Sequence, residues 1–201
     1  MARTPVPEQW QAVKVSQRYV ADYKPFSFVD GEGVRCSLYV SGCLFACEGC
    51  FNEATWNFRY GEPYSPALEN RIIADLAHPA VQGLSLLGGE PFLNTGVALS
   101  IVQRLRHEFG TSKDVWCWTG YTFEQLSHES VDKIELLRVI DVLVDGPFEQ
   151  SQRDLTLAHR GSRNQRVLDA PASRAQGRAV ERTAPWGQES TAPRPADRLN
   201  S

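Results

Sequence analysis

The sequence predicts an α/β fold, a mainly parallel sheet with crossover helices that closes at most into a partial, open barrel. Three observations lead there. From about residue 13 to 169, strand-like and helix-like segments alternate, as successive β-α units do. Four strand-like segments run straight into polar or Gly turns: Ser41-Gly42, Gly88-Gly89, Thr119-Gly120 and Asp145-Gly146. In parallel α/β folds ligands collect at those strand ends. The body is also too short for a full eight-stranded barrel, which takes about 250 residues.

The elements follow in order. Val34 to Val40 is β-branched and apolar and stops at Ser41-Gly42. A helix is expected after Ser65, with Ser65 as N-cap, Pro66 at the first helical position and Glu69 in the first turn. Its apolar stripe is Leu68, Ile72, Ile73 and Leu76. Leu84 to Leu87 is a short buried strand that enters Gly88-Gly89-Glu90-Pro91. The next helix starts near Asn94 or Thr95 and carries Ala98, Ile101, Val102, Leu105 and Phe109 at helical spacing until Gly110. Val115 to Trp118 is a strand closed by Thr119-Gly120, and Thr122 and Gln125 have the spacing of a capping box. Val139 to Val144 is a further strand closed by Asp145-Gly146-Pro147, and Leu168 ends a last one.

Composition shifts near residue 170. The stretch to Ser201 is rich in Ala, Pro and Arg, with only Val180, Trp186 and Leu199 as large apolar residues. Such a segment buries too little to offset the entropy of ordering it. The expected division is a flexible N-terminus over 1–12, one domain over 13–169 and a disordered tail over 170–201.

The 201 residues carry a net charge of −3, so nothing pulls the chain toward nucleic acid or an acidic membrane. No apolar run approaches the ~20 residues that span a bilayer. Met1-Ala2-Arg3-Thr4-Pro5 leads into polar sequence rather than an apolar signal core. A soluble cytoplasmic protein is expected.

Five cysteines are present, and an odd number argues against a disulfide framework. Cys43, Cys47 and Cys50 crowd into eight residues just after the Val34–Val40 strand. Thiolates are soft ligands for iron–sulfur clusters, zinc and Cu(I). A [4Fe-4S] cluster normally takes four Cys. A loop that offers three leaves one iron open for a non-protein ligand, and the amino and carboxylate groups of a methionine moiety could chelate it. A zinc adaptor remains the alternative, although a structural zinc site wants four ligands. Cys36 and Cys117 lie on strands, and His78, His107, His128 and His159 show no paired ligand spacing. Burial of the cysteines in the core is the third possibility.

Cys-x₃-Cys-x₂-Cys at the end of a first strand resembles the signature of radical S-adenosylmethionine enzymes. Gly88-Gly89-Glu90-Pro91, after the next core strand, resembles that superfamily's second motif. Three more segments narrow the likeness: Trp118 to Glu124, Asp141 to Phe148, and Arg160 to Val167. In this order they are similar to the activating subunits of anaerobic ribonucleoside-triphosphate reductases, from about Val15 to Asp169.

That resemblance implies a partial radical-enzyme β/α barrel, with one [4Fe-4S] cluster held by Cys43, Cys47 and Cys50 and S-adenosylmethionine beside it. Gly49, Cys50 and Phe51 would approach the cofactor at the loop's closing edge. Gly88, Gly89 and Glu90 would hold its methionine end, and Thr119, Gly120 and Asp145 are rim candidates. No catalytic side chain is expected beyond cluster and cofactor. Trp118 and Tyr121 are assigned to the core, and Arg160 to Arg166 to a partner-facing or simply solvated loop. The implied partners are the large catalytic subunit of the reductase, which would receive a glycyl radical, and a one-electron donor protein. Another activase of the superfamily, such as a formate-lyase activase, stays open.

Overall fold

A computed structural model describes residues 2–183. The elements are α1 (Ala12–Val15), β1 (Tyr19–Ser27), β2 (Val34–Val40), β3 (Glu62–Pro63), α2 (Pro66–Leu76), β4 (Val81–Gly88), α3 (Thr95–Phe109), β5 (Asp114–Trp118), α4 (Phe123–Leu126), α5 (Val131–Val139), β6 (Val142–Asp145), β7 (Arg166–Asp169) and α6 (Ala170–Gln176). The strands form one open seven-stranded sheet in the order β3-β1-β2-β4-β5-β6-β7. Strands β2, β4, β5 and β6 run parallel, while β1, β3 and β7 pair antiparallel at the two sides.

The register explains the position of the Gly-rich turns. Val40 pairs with Gly88, so β2 and β4 end side by side. Trp118 pairs with Val144, which aligns the ends of β5 and β6. Alternation along each strand sends Cys36, Leu38 and Val40 of β2, Leu84 and Leu86 of β4, Cys117 of β5 and Leu143 of β6 into the main core. Ile72 and Leu76 of α2, Ala98, Ile101, Val102 and Leu105 of α3, and Leu136 and Leu137 of α5 fill its other side. On the opposite face Trp116, Val142, Val144 and Val167 cluster. Arg35 is fully buried there, with its guanidinium 2.6 Å from Asp114 and 5.4 Å from the Trp116 ring.

Helix signals hold at most ends. Ser65 Oγ accepts from Leu68 N at the start of α2. Thr122 and Gln125 form the reciprocal capping box of α4. Four departures are informative. The sequence predicts no strand before Val34, yet β1 pairs with β2 and β3; Pro25 and the exposed Asp22 and Lys24 suit an edge-type strand and mask its pattern. The strand expected from Val139 begins at Val142, because Val131–Val139 is helical. Ordered structure also continues past Asp169. Asp169 caps α6 by accepting from Ala172 N, and Gly177 ends it in the left-handed conformation. Arg182 N then donates to Val167 O. The remainder of the expected tail, with Trp186 and Leu199, lies outside the described residues. The N-terminal stretch expected to be flexible is also engaged: Trp10 is buried and Arg3 N donates to Phe45 O at 2.7 Å.

Candidate functional site

The cysteine loop leaves the end of β2 and is pinned at both edges. Gly42 N donates to Thr55 O at 2.7 Å, Cys43 N to Trp56 O at 3.2 Å and Cys50 N to Cys47 O at 3.1 Å. Phe45 drives the middle of the loop inward. It is 2% exposed and meets Trp10 and Tyr121 edge to face at 4.9 and 5.1 Å. An aromatic anchor between the first two cysteines leaves the thiols free to face the other way.

The Gly-Gly-Glu-Pro turn is stitched to this loop by backbone. Gly89 N donates to Val40 O at 2.7 Å and Glu90 N to Gly42 O at 2.9 Å. A Cβ on Gly89 would stand 2.6 Å from Gly42 O, so only glycine allows this approach. Gly89 thus approaches the backbone of the cysteine loop this closely.

Glu90 is 1% exposed. Its Oε1 accepts from Phe92 N at 3.0 Å and from Thr119 Oγ1 at 2.8 Å, and its Oε2 from Gly120 N at 2.8 Å. The carboxylate ties the turn after β4 to the turn after β5. Burial pushes its carboxyl up to about 7, against the pull of these donors.

A pocket of about 690 Å³ opens between the turns. Cys43, Cys47, Cys50, Phe51, Gly88, Gly89, Glu90, Thr119 and Gly120 all line it. Two predicted residues do not. Gly49 packs under the Gln150 side chain, and Asp145 is buried against Arg166 at 2.5 Å while accepting from Phe123 N at 2.8 Å. The oxygens of Asp145 thus hold β6 to β7 and α4.

The far wall comes from Phe148 and from Leu155, Leu157, His159, Arg160 and Gly161 of one irregular loop. No periodicity or motif marks Leu155, Leu157 or His159 in the sequence. Trp118, assigned to the core, lines the pocket and donates from Nε1 to His159 O at 2.8 Å. Tyr121 is a core residue, as expected. The basic segment divides: Arg160 reaches the pocket, Arg163 pairs with Asp154, and Arg166 pairs with Asp145 and Glu124.

The donor set, three thiols on one loop, is of the soft type that a cluster takes. Among the described residues, no three His, Cys, Asp or Glu side chains gather as one metal ion requires. Three thiolates of a cubane bind three different irons, and Cys43, Cys47 and Cys50 line one pocket. Burial pushes the Cys43 and Cys47 thiols up, and for Cys43 the nearby Glu90 charge adds to it. Such thiols ionise when a bound metal supplies the compensating positive charge. Cys36 and Cys117 are fully buried in the core.

Residues 29–168 match a family described as a 4Fe-4S single cluster domain. The anaerobic ribonucleoside-triphosphate reductase-activating protein of Vibrio cholerae is 46% identical over 147 residues, 71% of this chain and 92% of that protein. Its counterpart from Pasteurella multocida is 45% identical over the same shares. That from Escherichia coli K12 is 44% identical over 149 residues, 72% of this chain and 94% of its own.

The chain belongs to the anaerobic ribonucleoside-triphosphate reductase-activating proteins.

For a member of this activating-protein family, the matched segment takes in the whole pocket wall, from Val29 to Gln165. The segments on which the likeness rests thus converge in space: the cysteine loop, the Gly-Gly-Glu-Pro turn, the Thr119-Gly120 turn and the Arg160-Gly161 wall. Among the described residues of this family member, no helix is long and apolar enough to cross a membrane.

Proposed function

We propose that this chain is a radical S-adenosylmethionine activase. It holds one [4Fe-4S] cluster through Cys43, Cys47 and Cys50 and generates a glycyl radical on the large catalytic subunit of anaerobic ribonucleoside-triphosphate reductase. The observation that carries this reading is a pocket wall with three thiols and no fourth protein thiol, facing the Gly88-Gly89-Glu90 and Thr119-Gly120 turns.

A [4Fe-4S] cluster held by this loop would supply the single electron for reductive cleavage of S-adenosylmethionine, the chemistry from which a glycyl radical on the reductase would follow. The chain's own residues orient and enclose. Cys43, Cys47 and Cys50 would hold the cluster, and Gly88, Gly89 and Glu90 line the same pocket where the methionine end would sit. Glu90 fixes the Thr119-Gly120 turn and so the pocket floor. Phe51, Phe148 and Leu157 shield the cavity from water, which protects a reactive radical from side reactions. A cluster with one open iron belongs in a reducing, oxygen-poor compartment, which supports a cytoplasmic site of action.

The test is anaerobic incubation with the reductase subunit, S-adenosylmethionine and a strong reductant, followed by electron paramagnetic resonance. A glycyl radical on the reductase, and none on a formate-lyase-type enzyme run in parallel, is expected. The reverse pattern would move the chain to another activase class. Colourless protein that carries zinc and no sulfide would replace the enzyme by a zinc-binding adaptor.

A further inference from the structure

The cysteine loop has a second exposed side. An open depression of about 620 Å³ is lined by the loop residues Cys43, Leu44 and Ala46. Cys43 and Trp56 line both this depression and the cofactor pocket. One ligand thiol and one indole are thus shared between the two cavities. The charged side chains of the depression are Arg3 and Arg59, both arginine and both exposed. Its floor is apolar, from Val15, Leu44 and Phe58.

An electron has to arrive from outside the chain. Of the five cysteines, three are in the loop and two, Cys36 and Cys117, are sealed in the core. No second cluster can therefore be built to relay charge. The mouth of the cofactor pocket has to admit the segment that receives the radical, so a carrier docked there would block its own reaction. The depression avoids this conflict, since it reaches Cys43 and shares only Cys43 and Trp56 with the cofactor pocket.

We infer that the surface formed by Arg3, Arg59, Val15, Leu44 and Phe58 docks an acidic one-electron carrier protein and passes its electron to the cluster through the Cys43 side of the loop. This rests on the proposed cluster and names the partner that reduces it. One electron leaves the carrier, which is oxidised, and arrives at the cluster, which is reduced; no bond is broken and no proton moves. Two exposed guanidiniums around an apolar floor suit a carrier with a carboxylate-rich rim about an apolar centre, and opposite charge speeds encounter.

The experiment uses the cluster-loaded full chain and its Arg3→Glu/Arg59→Glu variant, with reduced ferredoxin as the acidic carrier probe and dithionite as a small reductant. Bleaching of the cluster is followed on rapid mixing, and ferredoxin binding to the protein is followed by calorimetry. Charge reversal is expected to slow ferredoxin-driven bleaching by about tenfold or more and to weaken binding, with a flatter salt dependence. The dithionite-driven rate should stay as in the unaltered protein, which also shows that the variant folds. Arg138→Glu on exposed α5 should change neither. Equal ferredoxin rates in the Arg3/Arg59 variant would overturn the docking surface, as would an equal loss in Arg138→Glu, which marks a net-charge effect. Loss of reductase binding with ferredoxin rates intact would also overturn it and give this face to the reductase. Failure of the proposed function reads differently: the unaltered protein would take up no iron and sulfide at all.

Discussion

The Oε1 atom of Glu90 accepts the Thr119 hydroxyl at 2.8 Å, a buried bond between the turns that follow two neighbouring parallel strands. Thr119 also accepts from Tyr121 N at 3.1 Å, so its hydroxyl organises the whole turn. Thr119→Val keeps the volume and removes both bonds. Loss of a buried hydrogen bond to a carboxylate should lower stability by about 2 kcal/mol, seen as a lower urea midpoint with unchanged slope. Thr119→Ser should restore most of it, and S-adenosylmethionine binding should weaken in Val and recover in Ser.

The same carboxylate sets a pH dependence in the cluster-free protein. Its folded value of about 7 lies above the ordinary glutamate range, because burial disfavours the charge. The folded state then holds the proton more tightly than the unfolded one. Glu90's contribution to stability is fully present below about pH 4 and is lost as pH rises through about 7. Glu90→Gln cannot titrate. The difference between the two proteins' denaturation midpoints should therefore change between about pH 4 and 7, the glutamate protein losing ground to the glutamine protein as pH rises. Parallel midpoints across that range would show that the carboxylate is not held in this way.

Iron removal should distinguish loop from core cysteines. Cys47→Ala should abolish iron and sulfide uptake while the far-ultraviolet circular dichroism stays native, since its loop lies outside the sheet. Cys117→Ala should keep the cluster and cost about 1–2 kcal/mol, because it only leaves a small void among fully buried neighbours. Retained S-adenosylmethionine cleavage by Cys47→Ala would refute the ligand set.

How much of this was legible depends on where the signal lies. Cys43, Cys47, Cys50 and the Gly88-Gly89-Glu90 turn are local motifs at strand ends, and parallel pairing necessarily brings those ends together. Ser65, Thr122 and Gln125 announced their helices through caps, which are local as well. Helix α5 was hidden because its pattern is inverted: Lys133 is fully buried and Val131 is 81% exposed. Asp145 follows a strand as a rim residue would, but its partner Arg166 is 21 positions away, and no local rule pairs them. Trp10 looked like part of a loose terminus, since nothing nearby in sequence reveals that Phe45 and Tyr121 receive it.

Asp145 offers a direct test of structural against ligand roles. Its oxygens take Arg166 Nε at 3.0 Å, Arg166 Nη2 at 2.5 Å and Phe123 N at 2.8 Å, with the aspartate side chain 1% exposed. Asp145→Asn should cost about 3 kcal/mol, as expected when one partner of a buried ion pair is removed. Affinity for S-adenosylmethionine, measured by calorimetry below the unfolding range, should stay within twofold of the unaltered protein, roughly 0.4 kcal/mol. A large loss of affinity at full folding would return Asp145 to the cofactor site.

Lys133 gives the sharpest test of what buries the N-terminal segment. Its Nζ donates to Trp10 O at 2.7 Å, Tyr121 Oη at 2.9 Å and Glu129 Oε2 at 3.0 Å, with the lysine side chain fully buried and that of Glu129 5% exposed. Lys133→Met should cost about 3–5 kcal/mol, because it strands a carboxylate without its counter-charge. Adding Glu129→Leu removes that stranded charge, and most of the loss should return. The Trp10 carbonyl stays without its donor in both variants, so the two causes separate. If the double variant recovers stability yet becomes sensitive to protease before Trp10, the ion pair governs the core and the carbonyl bond governs the latch. If it recovers nothing, the bonds to Trp10 O and Tyr121 Oη carry the cost.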